Sequence, residues 1–378
     1  MLRSLLLLCA VASISTAPAH VVVIADGSPD WAALLTALPA PDVALMMRPC
    51  AGCAGGLTPE SAEVASAMST GCTGARRAVS AMGTPLGTRA AKAGAATGLV
   101  TNACPTDPTV AAFFASSHDR YDAALLAGGL RDSALAVMLG GASRLLGSPE
   151  PDACHPRTRR ELAASVRSCD QGRLVGSFGN MRSALAEECQ PLPLGGDQAL
   201  PNLADMTASA LAFMRASTPD RGVFLVVGND RMDHAAHAGD EVALVYQYAD
   251  TAAAVKVAIS ALAHRNDSLV VVTGDHATVF NGTAHSAAAV PVLVYGSGAR
   301  EAASRIVELN GSSAFSPPVF DATDFPKLFP FFVSGSCEHG DSVPRLDLVA
   351  AFALAGTCAL ALVAFLVSCV LARRAKKE

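Results

Sequence analysis

The sequence predicts an α/β fold with a central, mostly parallel sheet covered by helices on both faces. Apolar runs typical of buried strands recur along the chain and alternate with stretches of helical periodicity. Acidic residues and histidines follow several of these runs, as at Asp26, Asp230 and Asp275. The carboxyl ends of parallel strands share one edge of a sheet, so these side chains are expected to lie together there. One transmembrane helix is predicted in addition, near the C-terminus.

The first residues predict entry into the secretory pathway. Met1–Ala19 carries a basic residue, an apolar run and then small residues, the three-part pattern of a signal peptide cleaved near Ala17 or Ala19. A buried first strand is a poorer interpretation, because Val21–Ile24 supplies such a strand immediately afterwards. The net charge of −5, with no basic patch, argues against a nucleic-acid partner.

The C-terminal end predicts a membrane anchor. Leu348–Leu371 has no charged residue and is long enough to cross a bilayer, and residues 372–378 form a basic tail. A glycolipid-anchor signal also ends in an apolar run but would not carry this tail. We therefore predict a type I single-pass membrane protein, with residues 20–340 as a lumenal or extracellular domain.

Cysteines and sequons agree with that compartment. Eight of the 11 cysteines lie outside the signal and the span, and disulfides are expected among them with connectivity left open: Cys50, Cys53, Cys72, Cys104, Cys154, Cys169, Cys189 and Cys337. Cys50-x-x-Cys53 favours a disulfide over zinc, because no second pair follows at finger spacing. N-glycosylation sequons occur at Asn266, Asn281 and Asn310.

The elements are predicted from periodicity, in chain order. The strand-like runs are Val21–Ile24, Val43–Met47, Gly98–Thr101, Ala123–Leu126, Leu174–Phe178, Val223–Val227, Leu269–Thr273 and Val290–Tyr295. The helical patterns are Glu60–Met68, Thr109–Ser116, Arg159–Ser168, Leu203–Arg215, Glu241–His264 and a short Ala322–Phe332. Residues rich in Gly, Pro and Cys at Pro49–Thr58 and Gly147–Pro156 predict loops.

The stretch Asp230–Asp240 carries the strongest hint of chemistry. On a helix, Asp233 and His237 are four residues apart and share one face, where a carboxylate and an imidazole can hold a zinc ion. Taken alone, such a pair is more often a solvated surface. Asp275–His276 after the next apolar run, followed by His285, favours a metal cluster at a sheet edge.

Two further positions stay open on local pattern alone. Asp26 ends the first strand, where it is as consistent with a helix cap as with a metal ligand. Thr58 as N-cap and Pro59 as first helical residue place Ser61 in a first turn, where the helix dipole favours an anion. A serine hydroxyl beside a metal can act as a nucleophile, although serine in a first turn is common.

With these residues assembled, the chain resembles the animal-type alkaline phosphatase family across roughly residues 20 to 300. Thr58-Pro-Glu-Ser-Ala62 is similar to the family's P-D-S-A nucleophile turn, and Gly98-Leu-Val-Thr101 to its G-V-V-T strand. Further similar runs are Leu139-Gly-Gly141, Pro201-Asn-Leu-Ala-Asp-Met-Thr207, Phe224-Leu-Val-Val227, Arg231-Met-Asp-His234, His237-Ala-Gly-Asp240, Val272-Thr-Gly-Asp-His276, and His285 with Val290–Val292 and Tyr295-Gly296.

The resemblance implies an alkaline phosphatase-like fold and two zinc ions that together clamp the attacking and leaving oxygens. It implies a first zinc held by Asp233, His237 and His285, and a second held by Asp26, Asp275 and His276. Ser61 would take the phosphoryl group of small phosphate monoesters, and the phosphoserine would then be hydrolysed.

The sequence departs from the family pattern around a third, magnesium site. The family's magnesium-binding Glu falls on Gly228, and its hydroxyl ligand falls on Asp107. The magnesium site is therefore expected to be either rebuilt from Asp107 and Asp230 or absent. The phosphate-binding arginine falls on His118 by an ungapped count, with Arg120 two residues on, so weaker phosphate binding is expected.

A last departure leaves the oligomeric state and two rival functions open. Eight residues separate His276 from His285, where the family inserts a crown that helps to build its dimer. A glycan on Asn281 would lie near the mouth of the site. The rivals to a membrane-anchored phosphomonoesterase are a surface glycoprotein that has lost turnover and a two-zinc phosphodiesterase or nucleotidase. The lack of a Cys-x-Pro-x-Arg motif argues against a sulfatase.

Overall fold

The computed structural model describes residues 18–49, 58–75, 77–133, 135–141, 154, 156, 159–168, 173–178, 201–307, 317–332 and 337. These residues lie in one compact unit, residues 1–338. The predicted membrane helix 348–371 and the tail 372–378 lie outside the described residues. So do residues 1–17 of the predicted signal peptide. Ala19 already begins the first strand, so cleavage at Ala17 leaves that strand intact and cleavage after Ala19 shortens it.

The described strands form one large sheet and one small hairpin. The strands are β1 (Ala19–Ala25), β2 (Val43–Arg48), β3 (Ala96–Thr101), β4 (Val137–Gly140), β5 (Leu174–Ser177), β6 (Val223–Asn229), β7 (Ser268–Thr273), β8 (Ala277–Thr278), β9 (His285–Ser286), β10 (Val290–Tyr295) and β11 (Val319–Asp321). The large sheet has the order β11-β2-β10-β7-β1-β6-β3-β4-β5, and β8 pairs with β9. In this sheet β10 runs antiparallel to both neighbours and every other pairing is parallel, which confirms the predicted mostly parallel sheet.

Helices cover both faces of the sheet. The helices are α1 (Trp31–Ala37), α2 (Ser61–Thr70), α3 (Leu86–Lys92), α4 (Pro108–Ala111), α5 (Ala123–Asp132), α6 (Arg159–Ser168), α7 (Leu203–Ser217), α8 (Arg231–Ala238), α9 (Glu241–Leu262), α10 (Ala299–Ser304) and a 3₁₀ helix, Ala322–Leu328. Successive side chains of β1 point to opposite faces of the sheet and show which helices cover each face. Val22 and Ile24 join the apolar cluster that contains α2, whereas Val21 and Val23 join the cluster that contains α7 and α9. Both clusters are buried, so a strand apolar at every position is what this sheet requires.

Some sequence predictions about the elements are wrong. Ala123–Leu126 was expected to be a strand but begins α5, because Asp122 caps the helix by accepting a hydrogen bond from Leu125 N at 2.9 Å. The helix expected over Thr109–Ser116 ends at Ala111. The strand that follows β3 in the chain and pairs with it is β4, Val137–Gly140. The sequence did not predict this strand, because its last residues were assigned to the Leu139-Gly-Gly141 loop motif.

The described cysteines correct the disulfide prediction at one position. Cys72 and Cys337 are bonded, with Cα atoms 5.6 Å apart, and Cys154 is also disulfide-bonded. Cys104 is a buried free thiol, so not every cysteine of the predicted domain is paired. Cys50, Cys53, Cys169 and Cys189 lie outside the described residues.

Among the described residues, α9 is long and apolar enough to cross a membrane by length and composition. It packs against α7, α8 and β7, and Ala254, Val255 and Ala258 are buried in the core beneath the sheet. A core helix of a folded domain has the same composition, so α9 is weak evidence for membrane insertion.

Candidate active site

Polar side chains converge at the edge of the sheet where β7, β1 and β6 end. Three groups of these side chains have potential metal-binding atoms within 4.8 Å of one another: Asp233, His237 and His285; Asp26, Asp275 and His276; and Asp26, Asp107 and Asp230. Asp26, Asp230 and Asp275 directly follow or lie just beyond parallel strands, and His285 precedes the antiparallel β10. The topology therefore brings residues distant in sequence to one edge, as the strand-end pattern predicts.

The first group contains two histidines whose ring nitrogens face each other. The Nε2 atoms of His237 and His285 lie 3.1 Å apart. His237 Nδ1 lies 2.5 Å from Gly282 O, and His285 Nδ1 lies 2.7 Å from Pro59 O. A neutral ring that donates through Nδ1 to a carbonyl leaves a lone pair on Nε2. Two such lone pairs at this distance repel each other unless a cation lies between them, so this pair fits a metal.

Asp233 completes the first group from α8. Its Oδ2 lies 3.3 Å from His237 Nε2, and its Oδ1 accepts a hydrogen bond from Thr278 Oγ1. Burial by itself raises the pKa of the Asp233 carboxyl, but its contact with His237, the nearby charge of His276 and the hydrogen bond from Thr278 lower it overall. A carboxylate held in its charged form is the state that a metal requires.

The second group is buried more deeply. Asp26 is 3% exposed, and Asp275 and His276 are fully buried. Burial and then the charges of Asp275 and Asp233 raise the pKa of Asp26 well above its usual range. Oδ1 of Asp26 and Oδ2 of Asp275 have no hydrogen-bond partner. Buried carboxylate oxygens of this kind carry a large desolvation cost that a bound cation offsets.

The third group consists of carboxylates alone. Asp26 belongs to it as well as to the second group, and Asp107 and Asp230 supply the other two side chains. Thr101 Oγ1 donates to Asp230 Oδ2 at 2.5 Å, while Asp230 Oδ1 is buried without a hydrogen-bond partner. Burial and then the charge of Asp107 raise the pKa of Asp230 well above its usual range. An all-oxygen set suits a hard divalent cation.

Ser61 lies beside His276 of the second group, at the start of α2. The helix begins at Ser61 itself with Glu60 as N-cap, which corrects the prediction that Thr58 caps the helix and Pro59 begins it. Ser61 is 4% exposed, and its Oγ lies 2.9 Å from His276 Nε2. The first N–H groups of a helix have no partner within it, and they carry the positive end of its dipole. Ser61 Oγ therefore combines a nearby potential metal site with an anion-favouring backbone.

Arg120 is held beside Ser61, two residues from the position that the ungapped count indicates. Its Nη1 lies 3.2 Å from Glu60 Oε2, in the residue that directly precedes Ser61. Burial lowers the pKa of Arg120, but the carboxylates of Asp107 and Glu60 raise it overall. His118 is exposed. The guanidinium near the potential nucleophile is therefore that of Arg120.

Two glycines allow the backbone to approach the site closely. Gly27 has φ +58, and a Cβ there would lie 2.2 Å from Asp233 Oδ1. At Gly228 a Cβ would lie 2.2 Å from Val110 Cγ1 and 3.1 Å from Asp230 Oδ1. The position onto which the family's magnesium Glu falls thus has no room for a side chain, and the carboxylate beside it comes from Asp230.

Sequence reasoning missed residues that support these groups. Thr109 Oγ1 donates to Asp26 Oδ2 at 2.7 Å, and Thr101 and Thr278 hold Asp230 and Asp233. Thr101 and Thr278 end or follow strands, which was an available signal. Thr109 reaches Asp26 only through the fold, because 83 residues separate them.

The comparisons with known proteins agree with this geometry. The sequence model of the family described as Alkaline phosphatase matches residues 157–309. The chain is 36% identical over 85 residues to alkaline phosphatase 4 of Bacillus subtilis (strain 168), and 38% identical over 101 residues to the membrane-bound alkaline phosphatase of Bombyx mori. These matches cover 22% and 26% of this chain, and each spans 18% of the length of the relative.

Solved structures extend the likeness to most of the chain. The alkaline phosphatase from the Antarctic bacterium TAB5 matches with a TM-score of 0.64 at 17% identity, covering 82% of this chain and 97% of that one. The Thermus thermophilus alkaline phosphatase matches with a TM-score of 0.65 at 18% identity, covering 83% and 92%. The chain therefore has an alkaline phosphatase-like fold, and the family model and curated matches support an alkaline phosphatase family member. This fold and the sequence matches support a phosphatase, and the described residues include groups able to bind metal ions.

Proposed function

We propose that the chain is an alkaline phosphatase family member that acts as a membrane-anchored, zinc-dependent phosphomonoesterase and forms a phosphoserine at Ser61. The observation that carries the proposal is the position of Ser61 Oγ, 2.9 Å from His276 Nε2 at the start of a helix. A hydroxyl so placed can attack a phosphorus atom whose oxygens are bound by the helix N-terminus.

The donor sets of the first two groups suit zinc. Each offers both carboxylate and imidazole ligands: Asp233, His237 and His285 in one, and Asp26, Asp275 and His276 in the other. Two such ions, when bound, would supply positive charge to both the attacking and the leaving oxygen. The opposed Nε2 atoms of His237 and His285 support this assignment.

The chain's own residues supply the remaining steps. The backbone N–H groups of the first turn of α2 and the Arg120 guanidinium bind the phosphate oxygens. Glu60 holds Arg120 in place through their 3.2 Å ion pair. Ser61 Oγ loses its proton and bonds to phosphorus as the bond from phosphorus to the alcohol oxygen breaks, and the alcohol leaves with a proton. Water then bonds to phosphorus, the Ser61 Oγ–P bond breaks, and Ser61 Oγ regains a proton as phosphate is released.

The third group fits a cation of the magnesium type. Asp26, Asp107 and Asp230 provide only carboxylate oxygens, and Gly228 leaves no room for a side chain of its own. Of the two outcomes expected for the magnesium site, these positions support rebuilding from Asp107 and Asp230. Asp107 also caps α4 by accepting a hydrogen bond from Thr109 N at 3.2 Å, which fixes its carboxylate.

Location in a membrane of the secretory route is part of the proposal. The Bombyx mori relative is named a membrane-bound alkaline phosphatase, and its match supports membrane association. The predicted anchor is 348–371, with residues 20–340 lumenal or extracellular. The sequons at Asn266 and Asn281 are glycosylated in this proposal, and Asn281 is exposed on the loop between β8 and β9.

The proposal is tested by trapping the intermediate. The zinc-loaded protein is incubated with p-nitrophenyl phosphate, quenched in acid and digested, and phosphopeptides are mapped by mass spectrometry. Phosphate is expected on Ser61, absent in Ser61→Ala and retained in Ser304→Ala, an exposed serine on α10. An active enzyme without phosphate on Ser61 would contradict the mechanism. Faster turnover of bis(p-nitrophenyl) phosphate than of the monoester would favour the phosphodiesterase reading instead.

A further inference from the structure

An exposed tyrosine contacts two arginines, one of which pairs with the residue before Ser61. Tyr121 is 47% exposed. The Cζ atom of Arg77 lies 4.8 Å from the centre of its ring, and that of Arg120 lies 5.7 Å from it. Cation–π attraction stabilises such contacts, and more so where water is partly excluded. These three residues form a surface that is both cationic and aromatic, and we call it the Arg77–Tyr121 cluster.

The backbone fixes the position of the cluster. Arg120 N donates to Arg77 O at 2.7 Å, joining the segment after α2 to the segment before α5. Tyr121 N donates a hydrogen bond to Asp119 Oδ1 at 3.1 Å, so the Asp119 carboxylate is bound to the backbone of the cluster. The cluster is thus built from two chain segments that are tied together, which limits its motion.

Arg120 connects the cluster to the reacting centre. Its guanidinium pairs with Glu60, the residue before Ser61, and also contacts the Tyr121 ring. A phosphate bound at Ser61 and Arg120 would therefore contact a guanidinium that also contacts the Tyr121 ring. Arg77 is exposed and contacts the same ring.

We propose that the Arg77–Tyr121 cluster is a leaving-group subsite that selects phosphate monoesters whose alcohol carries an aromatic ring, as nucleosides do. Aromatic rings and guanidinium planes both stack on nucleobases, and one such stack contributes substantially to binding. An aliphatic alcohol has no ring to stack and gains only general contact. The inference rests on the proposed phosphomonoesterase function and adds the preferred class of substrate.

The test is a comparison of two esters. The kcat/KM for adenosine 5′-monophosphate is divided by that for glycerol 2-phosphate, using the full-length, zinc-loaded protein in detergent. A wild-type ratio above about 10 is expected, because a base stacked on an aromatic side chain gains roughly tenfold or more in binding. Tyr121→Ala is expected to lower this ratio about tenfold, and Tyr121→Phe to retain it, since phenylalanine keeps the ring.

A control variant and two outcomes make the test decisive. Tyr246→Ala removes another exposed tyrosine, on α9, and should leave the ratio unchanged. Turnover of both esters with the same ratio in wild type and Tyr121→Ala overturns the subsite while the phosphatase function stands. No zinc-dependent turnover of either ester overturns the function and the subsite together.

Discussion

Replacing Asp230 with asparagine should stabilise the metal-free protein and abolish its stabilisation by a third cation. Asp26, Asp107 and Asp230 bring carboxylate oxygens within 4.8 Å of one another in a buried place. The change to asparagine removes one negative charge and keeps an oxygen that can accept the hydrogen bond from Thr101. The size of the side chain is unchanged, so packing is conserved.

The magnitude follows from the separation of the charges. Two unit charges at that distance repel by about 3 kcal/mol at an effective dielectric constant near 20. Buried carboxyl groups relieve part of this repulsion by binding protons, so the expected net gain for Asp230→Asn is about 1–3 kcal/mol. A cation at 100 times its Kd stabilises the wild-type protein by about 2.7 kcal/mol, and the variant should lose that gain.

Thermal unfolding measured with and without metal tests this prediction. After treatment with a chelator, Asp230→Asn should unfold about 2–6 °C above the wild-type protein. With zinc present, added magnesium should raise the wild-type Tm and not that of the variant. Asp220→Asn, which removes an exposed carboxylate, is the matched control. A lower Tm for metal-free Asp230→Asn, or an equal response to magnesium, would refute the reasoning about the third group.

Three other predictions concern stability and phosphate binding. His20 is 6% exposed and packs against Phe329, and burial first and nearby arginines second lower its pKa from 6.5 to about 4. Below pH 6.5 the unfolded chain protonates this histidine before the folded chain does, so the free energy of unfolding falls by about 3 kcal/mol as the pH falls toward 4. Denaturant titrations at several pH values should show this fall in the wild-type protein and its loss in His20→Phe. Cys72→Ser opens the bond to Cys337 and should cost about 2–5 kcal/mol in the same assay. Glu60→Gln removes the carboxylate that orients Arg120 and should raise KM for phosphate esters about tenfold, with kcat less affected, in steady-state kinetics.

Most strands and the residues of the three candidate metal groups could be predicted from sequence because each has a local signal. Val21–Ile24 and Val223–Val227 are apolar at every position, which a strand covered on both faces requires. Asp26 and Asp275 follow such runs, so their meeting at one edge was predictable once the sheet was taken as parallel. The pairing of His237 with His285 depends on the antiparallel β10, which reverses direction and brings its preceding residue to that edge.

The strand predicted at Ala123–Leu126 is wrong for a local reason, and the contact of Arg120 depends on the tertiary fold. Ala123–Leu126 is an apolar run without a clear period, and the cap provided by Asp122 makes it helical. Whether His118 or Arg120 contacts phosphate stays a prediction, and the ion pair with Glu60 is the contact that favours Arg120. That pair joins residues 60 positions apart, so local spacing could not identify it.

The most direct test of the proposed function is hydrolysis of p-nitrophenyl phosphate by the full-length protein in detergent. The wild-type protein, Ser61→Ala and Ser304→Ala are assayed side by side, each depleted of metal and then restored with zinc. Zinc-dependent turnover in the wild type and Ser304→Ala, lost at least 1,000-fold (on the order of the effect of removing a nucleophile) in a folded Ser61→Ala, is the predicted result. Equal turnover in Ser61→Ala, or none in a folded and zinc-loaded wild type, would contradict a zinc phosphatase that uses Ser61.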